Sequence, residues 1–223
     1  MNYLPSFRLT TLAMALLLGW YSIATLFAEI STPKVRTYSF DLGPQNQELD
    51  VSPFSDWASQ AAPFRADLLA NMAFAHSGPV IGLFNAQTSQ QKVARRERAL
   101  SLARHSLSDA PHAADVWLLL AALQRNQASG KSATAEALKM SYLTAPGNAS
   151  LFPARLLILS DPGMISDPDL RDLGRGDIRI ILTRRPDLKP AITRAYQSAG
   201  AETKKYLQEV VKSFDEGFAA SLL

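Results

Sequence analysis

The amino-acid sequence predicts an all-α protein in which an N-terminal transmembrane helix carries a solenoid of α-hairpins closed by a C-terminal helical cap. Three observations lead there. Leu9 to Ala28 is a run of twenty residues without a charge. Beyond Trp57 apolar residues recur at the spacing of one helix face. Between Ala99 and Leu159 similar residues return after 35 positions, the mark of stacked helical hairpins that complete each other's core. On this reading residues 1–29 form the anchor, 30–56 an extended linker, 57–160 the hairpins and 161–223 the cap.

The anchor follows from length. A helix of about twenty residues, rising 1.5 Å per residue, covers the roughly 30 Å hydrocarbon core of a bilayer. Arg8 precedes the run and Glu29 follows it. Arg8 and the amino terminus favour a cytoplasmic N-terminus, while Lys34 and Arg36 on the far side weaken that asymmetry. A cleaved signal peptide is the alternative, with Ser22-Ile23-Ala24 as its small-x-small site. The retained anchor is favoured because the apolar run continues through Leu26, Phe27 and Ala28. A buried helix of a soluble fold is the third reading. Both leading readings export the rest of the chain, so the expected location is a bacterial inner membrane with the C-terminal domain in the periplasm.

Composition narrows the chemistry. A hydrophobic content of 47% suits a chain that buries a core, and a net charge of +3 is too small to argue for nucleic acid. There is no cysteine, which removes disulfides, thiolate metal sites and cysteine nucleophiles. The charge is uneven: between Arg171 and Lys212 stand ten Lys or Arg against five acids. Residues 30–56 hold three prolines and read as linker, with Tyr38 and Phe40 expected to dock on the first helix pair.

The helices come next. Phe64, Leu68, Leu69, Met72 and Phe74 give one apolar face that ends at a loop around Gly78-Pro79. Val93, Leu100, Ala103 and Leu107 give another, over Gln91 to Ser108. Arg95, Arg96 and Arg98 near its start oppose the helix dipole, so this helix begins earlier or the cluster faces an acid. In the repeating stretch Pro111 maps onto Pro146, Trp117 onto Phe152, Leu107 onto Tyr142 and Leu123 onto Ile158.

This pattern resembles the tetratricopeptide repeat, a helix pair of about 34 residues. Trp117, Leu120 and the small Ala121 match its first helix, and Pro146 its closing proline; in the preceding unit Ala99 and Pro111 match the second helix and the proline. Thr134 and Ser141 stand where alanines are usual, Gln124 replaces an aromatic, and a long loop runs from His76 to Gln90. The resemblance spans Pro63 to Leu159. It implies a groove for a protein partner, and single-span proteins with such domains resemble accessory factors of envelope polysaccharide assembly and export. In the cap, Asp167-Pro168 is an N-cap followed by a first-turn proline for a helix reaching Arg184, with Ile178, Ile181 and Leu182 inward. Helices over Leu188–Ser198 and Glu202–Phe214 follow, broken at Gly200.

No catalytic pattern stands out. His76, His105 and His112 lack a neighbouring acid or histidine at metal-ligand spacing. There is no phosphate loop, nucleophile elbow or zinc-protease motif. Gly174-Arg175-Gly176-Asp177 reads as a helix irregularity. The expectation is therefore a non-enzymatic scaffold without metal or cofactor. Trp117 and Phe152 read as core knobs between helices. Arg171, Arg175 and Arg179 recur every four residues and share one helix face, with Arg184 and Arg185 beyond them. Guanidinium forks suit carboxylate and phosphate, so these five are the candidate anion-binding residues, for an acidic glycan, a lipid headgroup or an acidic protein surface. The plain alternative is a solvated face neutralised by Asp172 and Asp177.

Overall fold

The computed structural model describes residues 4–31, 57, 65–81, 90–125 and 130–222. The linker over 32–56, with Tyr38 and Phe40, and Phe64 of the first apolar face lie outside them. Among the described residues the protein is helical throughout and has no strand. It divides into two compact units, one holding the helices up to Asp109 and the other those from Ala114 onward.

In the first unit α1 (Leu4–Ser31) is one continuous helix. Phe7 to Ser31 is long and apolar enough to cross a membrane, and only 11% of its apolar window is buried. The third reading above, a core helix of a soluble fold, requires burial that this helix does not have. Its last turns differ from the rest. Ala24 and Ala28 are buried, Tyr21 and Thr25 half-buried, which is one face by helical spacing. Ala28 packs with Leu68 of α2 (Ala66–Ile81), and Arg65 ties the two helices together, its Nη2 lying 2.6 Å from Glu29 and 2.7 Å from Asp67.

α2 is buried on every side from Leu68 to Ala75, as expected of a helix apolar all round. It continues through Gly78-Pro79 to Ile81 instead of ending there. Pro79 lies two residues before its end, so the helix stops soon after the residue that cannot continue its backbone bonding. α3 (Gln90–Asp109) packs along α2. Its buried stripe is Ala99, Leu100, Leu102, Ala103, Ser106 and Leu107, and the Ser106 hydroxyl donates to the Ala66 carbonyl at 2.8 Å. Val93, expected in that stripe, is 49% exposed. Because α3 begins at Gln90, Arg95, Arg96 and Arg98 fall past the first turn, where the dipole penalty has faded.

In the second unit α4 (Ala114–Gln124) and α5 (Lys131–Thr144) form a closely packed pair. The turn holding Pro111 is closed by the Trp117 indole, which donates to the Pro111 carbonyl at 2.7 Å. That bond keeps Trp117 half-buried, whereas Phe152 is fully buried. The aromatic expected as a core knob at 117 is instead a brace for the turn. Ala99, Leu120 and Ala121 are buried; Pro111 and Pro146 stand exposed in turns.

The periodic pairing changes after Pro146. α6 (Phe152–Leu159) lies mainly against α8 (Lys189–Ser198), while α7 (Pro168–Arg184) touches α5, α6 and α9 (Ala201–Lys212). Gly174 and Gly176 sit inside an uninterrupted α7, so the glycines mark no irregularity. Gly174 serves a close approach: a Cβ there would stand 2.3 Å from Leu159 Cδ2. A short α10 (Glu216–Ala220) ends the unit, capped by Asp215, whose carboxylate accepts from the Phe218 N–H at 2.9 Å and pairs with Lys189 at 2.7 Å.

Candidate functional site

The arginine-rich helix α7 is set in place by its first turn. The Asp167 carboxylate accepts from the N–H groups of Asp169 and Leu170 at 3.0 and 3.3 Å, and Pro168 supplies a helical φ without an orphan donor. Lys139 of α5 lies 2.7 Å from Asp167 and 3.1 Å from Asp169. The Lys139 hydrogen bond is the first cause holding the Asp167 carboxyl below the usual range, and the N-terminal N–H groups add to it.

Two faces of α7 then separate. Leu170, Gly174, Asp177, Ile178 and Ile181 are buried, whereas Arg171, Arg175 and Arg179 are exposed together with Asp172 and Thr183. Each fourth residue advances roughly 40° around a helix, so the three arginines trace a shallow stripe. Arg171 is steadied by its Nε, which donates to the Ile165 carbonyl at 3.2 Å. The Arg175 guanidinium lies 6.0 Å from the ring centre of Phe214, a side chain 39% exposed.

Arg184 and Arg185 do not extend the stripe. Arg184 is turned roughly 140° from Arg179 by helix geometry. Arg185 follows the end of the helix and makes a two-pronged bond to Asp187, at 2.9 and 2.7 Å, which holds that carboxyl below its usual range. Among the described residues Arg175 and Arg179 form no ion pair.

Asp177 is not the counter-charge its sequence position suggests. It points inward, 2% exposed, toward Arg155 of α6, itself fully buried. The Arg155 Nε donates to Ser141 Oγ at 3.2 Å, and Nη2 donates to the carbonyls of Ser141 and, at 3.0 Å, Ala145. These carbonyls stand at the C-terminal end of α5, where they also accept from the N–H groups of Ala145 and Asn148, both at 3.3 Å. The guanidinium stands 4.6 Å from the Tyr142 ring centre, and Nη1 is 4.0 Å from Asp177 Oδ2.

The Tyr142 hydroxyl faces the same carboxyl without full hydrogen-bond geometry. Burial pushes Asp177 up to about 7 against the opposing pull of Arg155 and Tyr142. Burial likewise pushes Tyr142 well up and Tyr206, whose hydroxyl donates to the Arg171 carbonyl, up to about 12.

Comparison with known protein families, with curated proteins and with solved structures finds no match. The reading therefore rests on the geometry. The buried Arg155–Asp177–Tyr142 cluster is closed to solvent and acts on stability. The α7 stripe is open and suited to anions.

Two signals for the buried cluster stand in the sequence. Arg155 interrupts the apolar run from Phe152 to Leu159, and Asp177 falls at inward spacing with Leu170, Gly174, Ile178 and Ile181. Ser141, where the repeat usually has alanine, is the seat of Arg155. The histidines stay apart in role: His76 is half-buried in α2, His105 exposed on α3 and His112 exposed in the following turn. Among the described residues no three His, Asp or Glu side chains converge as metal ligands.

Proposed function

We propose that this chain is a membrane-tethered scaffold, held by α1 in a bacterial inner membrane with its helical units in the periplasm, where they bind a protein partner. The observation that carries this reading is α1 itself, whose apolar residues from Phe7 to Phe27 are largely exposed while its last turns dock on α2. Water disfavours such a surface and a bilayer accepts it. Each unit holds a helix pair, α2/α3 in one and α4/α5 in the other, of the kind from which tetratricopeptide-like arrays are built. Arrays of that kind serve protein partners, and the resemblance to accessory factors of envelope polysaccharide assembly suggests the pathway. The role is non-enzymatic and needs no cofactor.

Leu143, 66% exposed on α5, is the contact we would assign to the partner, since burying a large apolar side chain on association removes its surface from water. The test is crosslinked co-purification of the C-terminally tagged chain from solubilised native membranes. An envelope protein captured reproducibly, and lost with Leu143→Asp, supports the scaffold. An eluate holding only the bait refutes it.

A further inference from the structure

We propose that the exposed stripe Arg171–Arg175–Arg179, with Phe214 beside it, docks the C-terminal unit on anionic phospholipid headgroups of the bilayer that α1 crosses. This rests on the reading of α1 as a membrane anchor. The charge balance of the face is the first support. With Asp177 buried under α7, the only acid exposed on α7 between Arg171 and Arg179 is Asp172, so along this helix three guanidiniums stand against one carboxylate among the described residues.

Guanidinium forks match the paired oxygens of a phosphate, and among the described residues none of the three is held in an ion pair, Arg171 donating only to the Ile165 carbonyl. Phe214, half-exposed beside Arg175, supplies an apolar side chain of the kind that enters the headgroup boundary next to basic residues.

The tether decides between lipid and glycan. A covalent link to α1 holds the unit near a bilayer at a high effective concentration, so weak attractions suffice. Each basic residue close to an anionic surface strengthens attachment about fivefold, and three together about a hundredfold. A free acidic glycan has no such advantage and must bind by contact alone.

The absence of cysteine makes the test clean. A single cysteine at Thr183, exposed on the same side of α7, carries an environment-sensitive dye on the full chain in lipid nanodiscs. The discs are phosphatidylcholine alone or phosphatidylcholine with phosphatidylglycerol, and a second label replaces the exposed Ser132. The expected result is a blue shift at position 183 in phosphatidylglycerol discs only, reversed by salt, with no shift at 132.

The variant R171A/R175A/R179A should lower the docked-to-free ratio about a hundredfold. R175E/R179E, which spares the bond from Arg171 to Ile165, should abolish the shift as well. Equal spectra in the two discs, an equal shift at 132, or a shift that survives R175E/R179E overturns lipid docking while leaving the anchor intact. So does a shift produced by a soluble acidic polysaccharide in neutral discs when phosphatidylglycerol produces none. A chain that does not enter the discs overturns the anchor, and this inference with it.

Discussion

Replacing Arg155 by Met is the sharpest test of the buried cluster. Methionine keeps most of the volume, so the change removes the guanidinium from Ser141 Oγ and from the carbonyls of Ser141 and Ala145, which keep only the N–H groups of Ala145 and Asn148. Buried acceptors left in this way cost about 1–3 kcal/mol in total when their neighbours relax. Asp177 then adds a term that depends on pH.

In the wild type its carboxyl is raised from 3.8 to about 7 by burial. The folded state therefore holds a proton that the unfolded state releases, and stability falls as pH rises from about 4 to about 7, then levels. Without Arg155 the carboxyl is raised further, and the fall continues above pH 7. The cost of R155M should grow there by up to about 1.4 kcal/mol per pH unit, toward the roughly 3–5 kcal/mol of a broken buried pair.

Urea unfolding of the full chain in detergent micelles, followed by circular dichroism at about pH 6 and about pH 8.5, reads both terms. The double variant R155M/D177N should lose the extra pH dependence, because asparagine has no charge to bury. A loss within about 0.5 kcal/mol of zero, or one equal at the two pH values, would refute the account.

Other expectations follow from single contacts. D177N alone should flatten the stability profile between about pH 4 and about pH 7, measured as the difference from wild type across that window. Asp167→Ala removes an N-cap and a partner of Lys139 and should cost about 1–2 kcal/mol near neutral pH. Because the Asp167 carboxyl is held low, that contribution is present above the ordinary carboxylate range and is lost as pH falls through it, so wild type and variant should converge in acid. Gly174→Ala places a methyl against Leu159 and should destabilise by about 1–3 kcal/mol in the same unfolding assay. Arg65→Ala, which breaks a half-exposed pair with Glu29, should change stability by less than about 1 kcal/mol.

Helix type and chain order were legible in the sequence because they depend on local patterns. The uncharged run gave α1, the Asp-Pro pair gave the start of α7, and the three-to-four spacing of apolar residues gave the buried faces of α3 and α7. Two local signals misled. Gly78-Pro79 punctuates sequences in general, yet α2 runs on to Ile81, two residues past the proline; Gly174 resembles a break but serves a close approach of helices.

What only the tertiary structure decided is which residues meet across the chain. Arg155 and Asp177 are separated by a turn and most of a helix, and no periodicity pairs them; their meeting depends on α7 lying across α5 and α6. The same packing gave α6 its main neighbour in α8. It also turned Asp177 away from the arginines and left their face positive. A sequence states which faces are apolar, whereas the choice of partner for each face is made by the shapes and buried charges of all the helices together.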